Sequence, residues 1–156
     1  MTSCAVSYDR GGGDEVTKQT RRRALDADEI TTFDHIADPV LERVRLLRTN
    51  LLPPAADGMT IGRFVLLRGD RIDHRASALL AHELVHVRQF AEMGAFRFFS
   101  AYLGAYVKNL RATKNHRQAY LDIPLEQEAR REASQWVAAG ASADDGDAPE
   151  TPAHSL

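Results

Sequence analysis

The sequence predicts an α+β fold, mostly helical, with a short β-sheet or hairpin ahead of one central helix. Three observations carry this expectation. Residues 79–90 form an apolar helical run that encloses His82-Glu83-Leu84-Val85-His86. A stretch rich in β-formers, Met59-Thr60-Ile61-Gly62-Arg63-Phe64-Val65-Leu66-Leu67-Arg68, lies just before it and stops at Gly69-Asp70. Apolar residues then recur at steps of three and four in two later segments, the signature of amphipathic helices.

Residues 1–28 hold Gly11-Gly12-Gly13, Arg21-Arg22-Arg23 and few apolar side chains, so they read as a flexible arm. The folded domain is expected over 29–140. Asp38-Pro39 starts a helix, Asp as cap and Pro in the first turn. Val40, Leu41, Val44, Leu47 and Leu51 continue it at helical spacing, and Pro53-Pro54 ends it. The 59–68 strand follows. Asp73 or Ser77 caps the central helix, which runs to about Met93 before Gly94. Phe96, Phe99, Leu103, Tyr106 and Leu110 lie on one face of the next helix, and that aromatic face is expected to be core. Five Lys or Arg and no acid fall between Arg97 and Arg117, read here as a solvated face. Pro124 opens the last helix, with Leu125, Ala129, Ala133, Trp136 and Val137 on its apolar side, ending near Gly140. The remainder, 141–156, is small and acidic and is expected to be disordered.

Length and composition narrow the classes. A chain of 156 residues, 44% hydrophobic, suits one domain with a sizeable core. A net charge of −2 gives no global drive toward nucleic acid or an anionic membrane, and no stretch approaches the 18 apolar residues of a transmembrane helix. Cys4 alone allows neither an internal disulfide nor a cysteine-based zinc site, and no apolar run precedes it to suggest a secretory signal. Cytoplasmic location is the default expectation, with signal-independent export left open. Oligomeric state is not legible.

The chemistry concentrates in the central helix. Residues four apart share a helix face, so His82 and His86 can aim both imidazoles at one Zn²⁺. Glu83 then falls beside the metal, placed to take a proton from water. A third ligand must come from elsewhere: His74, His116, Asp122, Glu126, Glu128 or Glu132. Glu126 is favoured. It shares a side with Ala129 and Ala133, whose small size lets the last helix approach the central one, whereas Glu128 points elsewhere. Tyr120 and His116 precede that helix and can reach a cleft, Tyr120 ranking first as a donor to an oxyanion.

The runs Leu80-Ala81-His82-Glu83-Leu84-Val85-His86-Val87-Arg88-Gln89, Tyr120 and Ile123-Pro124-Leu125-Glu126-Gln127-Glu128-Ala129 resemble the gluzincin metallopeptidases. The likeness is greatest to small bacterial zincin-like domains, including the core domain associated with extracellular contractile injection systems. It covers about residues 59–135. It implies a zincin-like fold and a zinc-dependent hydrolysis of peptide bonds, with His82, His86 and Glu126 on the metal, Glu83 as base and Tyr120 assisting. It also implies that strand 61–67 receives a peptide or protein substrate by β-augmentation. Arg130 stands where several gluzincins carry Asp or Asn, which leaves Glu128 or another acid to support a zinc-bound histidine. A zinc-binding interaction or scaffold domain with weak or lost peptidase activity is the alternative. A closed, purely structural zinc clip is the third.

Overall fold

A computed structural model describes residues 22–52, 56–69 and 77–144, with side chains to 140. Most of the expected arm, the Pro53-Pro54 stop, Asp73, His74 and residues 145–156 of the expected tail lie outside the described residues. The elements are β1 (Arg22–Arg23), α1 (Ala27–Thr32), α2 (Asp38–Leu41), β2 (Arg45–Thr49), β3 (Gly58–Ile61), β4 (Phe64–Arg68), α3 (Ala78–Met93), α4 (Ala95–Thr113), α5 (His116–Leu121) and α6 (Pro124–Asp144). The fold is thus α+β, with one four-stranded sheet ahead of the histidine helix, as the sequence predicts.

The sheet order is β1-β2-β4-β3. β2 runs parallel to β4; β1 pairs antiparallel with β2, and β3 antiparallel with β4. The expected single strand over 59–68 is therefore a hairpin. Ile61 pairs with Phe64 across Gly62-Arg63. Gly62 has φ +61°, a value that glycine reaches at no steric cost and that suits the first position of a tight II′ hairpin turn.

The helix expected from Asp38 to about Leu51 is corrected. A helix does start here, but at Asp38 with Ala37 and not Asp38 as its cap, and it stops at Leu41, after which the chain re-forms as β2. Apolar residues at 40, 41, 44, 47 and 51 fit a helical period. Yet Leu46, fully buried, points into the core in a strand laddered on both sides by β1 and β4. Pairing outweighs local periodicity in so short a segment.

The start of the domain is pinned within the segment expected to be arm. Asp26 and Glu29 form a reciprocal capping box at α1, and Glu29 also takes a bidentate pair from Arg23 at 2.6 and 2.7 Å. Leu25, Phe33, Ile36, Leu41, Val44, Leu46, Val65 and Leu67 pack with Leu80, Leu84 and Val85 of α3 into the core. α3 lies between the sheet and α6. Ala129 and Ala133, both buried, let α6 approach, and Trp136 closes that side by packing its ring, tilted, against Phe33 and donating to the Thr32 carbonyl at 2.9 Å.

α4 corrects a second expectation. Phe96, Phe99 and Leu103 are 84, 50 and 61% exposed, and Phe98 is the buried aromatic. The inward face is Phe98, Tyr102 and Asn109. Phe98 stacks on Phe90 at 3.7 Å, and Asn109 donates to the Ala119 carbonyl of α5.

Candidate metal centre

α3 presents the site because its ends are well defined. The Ser77 hydroxyl caps the first turn, accepting from the Leu80 amide at 3.2 Å. Gly94, at φ +75°, ends the helix and turns the chain into α4. One turn apart on this helix, the His82 and His86 rings meet edge to face, 4.8 Å between centroids. α6 begins at Pro124 and brings Glu126 between them in its first turn. His82 Nε2 lies 3.3 Å from Glu126 Oε2, and His86 Nε2 lies 3.3 Å from Glu126 Oε1. One ligand atom from each of the three residues falls within 4.8 Å of the others.

Glu83 lies beside this cluster and not in it. It is buried against β3, where its Oε2 accepts from the Thr60 hydroxyl at 2.7 Å. The same hydroxyl reaches the Glu83 carbonyl at 3.1 Å. Gly58, two residues earlier on the same face of β3, leaves room for the carboxylate. A Cβ there would stand 2.7 Å from Glu83 Oε1. Burial raises the Glu83 pKa, against the opposing pull of the Thr60 hydroxyl and the two histidines.

A second tier of side chains orients the ligands. Gln89, one turn beyond His86, donates through Nε2 to the Leu125 carbonyl and to Glu128 Oε2, at 3.2 and 3.0 Å. Its Oε1 therefore faces His86 Nδ1, 2.7 Å away, and the network assigns the proton to Nδ1. That leaves Nε2 facing Glu126. Glu128 in turn accepts from Arg88, which also holds Glu132 with two bonds. Among the described residues Glu128 thus bonds no histidine directly; it reaches one, His86, only through Gln89. Arg130, at the position that departs from several gluzincins, is engaged by the Leu121 carbonyl and lies 3.9 Å from Glu126 Oε2.

Whether these residues suit a divalent ion can be tested on their own geometry. A buried carboxylate and two imidazole nitrogens converge, and Glu126 Oε2 has no hydrogen-bonding partner among the described residues. Such a group is costly to bury unless a proton or a cation compensates it. Each imidazole Nε2 also stands 3.3 Å from one of the two Glu126 oxygens, close enough for the three side chains to share one divalent ion. The donor set fits. Without an ion, burial lowers the His86 pKa, but its bond to Glu126 and the Glu126 charge more than offset this and hold it above the ordinary value. Glu126 is the converse. Burial raises its pKa, and the two histidines push it far below the usual carboxylate range.

Of the residues expected at the site, His82, His86 and Glu126 come together, Glu83 lies beside them, and Tyr120 stands at the rim. Burial and the Glu126 charge raise the Tyr120 pKa, and its ring lies under the Arg130 guanidinium at 5.9 Å. The other ligand candidates are engaged elsewhere: His116 with the Tyr106 hydroxyl, Asp122 with Gln118, Glu128 and Glu132 with Arg88. Tyr102 was not anticipated. Its hydroxyl donates to Glu126 Oε1 at 2.8 Å. The signal was present: Phe98, Tyr102, Ala105 and Asn109 also step by four, three and four, an alternative helix face that ends in polar groups.

Comparison with known proteins bears on the first half of this centre. Residues 49–94 match the family model of the eCIS core domain. The match runs from the last residue of β2 through the hairpin and α3. It holds His82, Glu83, His86, Thr60, Gly58 and Gln89, and it stops before α4. Glu126, Tyr102 and Tyr120 lie outside it. No curated protein and no solved structure matches the chain. The segment that matches this family model therefore supplies two of the three candidate ligands, and α6 supplies the other.

Proposed function

We propose that the chain is a zinc-dependent peptidase acting on a peptide or protein substrate. The observation that supports this best is the convergence of His82, His86 and Glu126 beside a buried glutamate that is not itself in the cluster. The His82 and His86 imidazoles and the Glu126 carboxylate would hold the ion, and zinc bound there supplies a Lewis acid that polarises a carbonyl and acidifies water. Glu83, its pKa raised, accepts the proton of the attacking water on a carboxylate oxygen and passes it to the leaving amine. Thr60 and the space above Gly58 keep that carboxylate in one position. The Tyr120 hydroxyl offers a donor to the developing oxyanion, while the Tyr102 hydroxyl holds Glu126.

The substrate edge differs from the one the resemblance implies. β4, with Phe64–Leu67, is paired on both sides by β2 and β3 and has no free edge. Among the described residues β3 is the edge strand next to α3. Its outward N–H and C=O groups can add an extended peptide antiparallel to Gly58–Ile61, beside Glu83.

The test is metal content and hydrolysis of unstructured protein substrates by Glu83→Gln beside the wild type. One zinc per chain in both, with hydrolysis lost in the variant by at least about a hundredfold, is the result expected for general-base catalysis. Zinc bound in both with hydrolysis in neither, and a biological activity that survives Glu83→Gln, would assign the domain to zinc-dependent binding instead.

A further inference from the structure

The outer face of α4 has no role in the metal centre, and its composition is unlike the rest of the chain. From Met93 to Leu121 there is no acid, while Arg97, Lys108, Arg111, Lys114 and Arg117 all fall there, in a chain whose net charge is −2. None of these five forms an ion pair among the described residues. Phe96, Phe99 and Leu103 form one exposed stripe at steps of three and four, with Val107 and Leu110 half-buried along its continuation. Single exposed apolar residues are ordinary; a contiguous stripe with two phenyl rings in water is not.

We propose that this face rests on an anionic lipid surface, with α4 lying in the interface plane. Two features favour a lipid surface over a partner helix. The shallow depression on this side is lined by Ser100, Leu103, Gly104, Val107, Lys108 and Arg111, all from α4 itself. A helix-in-groove partner needs walls from a second element, whereas a convex single helix suits a plane. The basic residues also flank the stripe with no acid among them, so phosphate-bearing headgroups meet Arg97, Lys108 and Arg111 while the apolar side chains reach the acyl boundary. The long stems of Lys108 and Arg111 can lie along the apolar face with their charges at headgroup level. A second copy of the chain would bring the same basic flank against itself. No helix among the described residues is long and apolar enough to cross a membrane, so the contact is peripheral. It is independent of the peptidase reading.

The experiment is vesicle flotation of the purified full-length protein, with phosphatidylcholine alone and with phosphatidylcholine containing phosphatidylglycerol. The protein is expected to float with the anionic vesicles, less so as salt rises, and to stay in solution with the neutral ones. Phe96→Asp and Leu103→Asp, both at exposed positions, should abolish flotation while zinc content and thermal melting stay as in the wild type. Arg97→Gln, Lys108→Gln and Arg111→Gln together should weaken it roughly a hundredfold, about fivefold for each charge removed. The proposal is overturned if the wild type fails to float with anionic vesicles, or if flotation survives both aspartate variants. A concentration-dependent dimer that Leu103→Asp dissolves would give the face to a second copy, and an acidic protein partner bound without any vesicle binding would give it to that partner. Either also overturns it.

Discussion

α3 and α4 meet at Gly94 and are of similar length, 16 and 19 residues, yet α3 buries nine side chains and α4 only Phe98. In α3 the polar residues are the ones turned inward: Glu83, His86 and Gln89 are buried together with Leu84 and Val85. In α4 the apolar ones are turned outward. The difference lies in what surrounds each helix. α3 is covered by the sheet on one side and α6 on the other, so its buried polar groups need partners, and those partners build the candidate metal centre. Among the described residues α4 touches the rest of the molecule along one strip, and its other faces are uncovered.

This contrast breaks most sharply at the ligands. His82→Ala and His86→Ala should each abolish tight zinc binding, and Glu126→Ala should weaken it strongly, read by elemental analysis of the purified protein. If Glu126→Ala keeps a full zinc while Glu128→Ala loses it, the third ligand is misassigned. Gln89→Leu tests the tier behind. It removes the group that orients His86 and leaves the ligand itself, so zinc affinity should fall about 10–100-fold with the fold intact.

A smaller effect follows from the metal-free protein. His86 has a folded pKa above its ordinary 6.5, so its pairing with Glu126 contributes stability that is fully present below that pH and is lost as pH rises through the raised value. Glu126 has a lowered folded pKa, and its contribution is present above the ordinary 4.5 and lost only in strong acid. The chelated protein should therefore melt at a lower temperature on the alkaline side of the histidine range than at pH 5–6, by a few degrees, since about 2–4 °C corresponds to 1 kcal/mol in a chain of this size. The zinc-loaded protein should show the opposite trend, because its ligands must be deprotonated. A metal-free melting curve that does not change across that range would remove the His86–Glu126 coupling.

The same contrast explains what could be read in advance. α3 was legible because its cap, its apolar run and its paired histidines all point to one answer. Glu126 was legible because Ala129 and Ala133 mark the side of α6 that packs closely. β2 was not. Val40, Leu41, Val44 and Leu47 carry a helical period, and only the neighbouring strands, distant in sequence, decide against it. α4 misled for a related reason. Its apolar stripe is real, and periodicity gives the direction of a hydrophobic face but not whether the molecule itself covers it. Tyr102 was hidden by that choice of face, and Gln89 by being one turn past a motif that draws attention to its histidines.

The least perturbing change should be on the open side of α4. Leu103 is 61% exposed, and nothing in the domain packs on it tightly, so Leu103→Asp should alter stability by no more than about 0.5 kcal/mol in chemical denaturation. Leu84, fully buried between sheet and α6, is the matched control in α3, and Leu84→Ala should cost about 2–5 kcal/mol. A Leu103→Asp loss approaching that of Leu84 would mean that α4 folds its outer face against the protein in solution. The two helices would then differ in sequence but not in environment, and the surface assigned to a lipid contact would already be occupied.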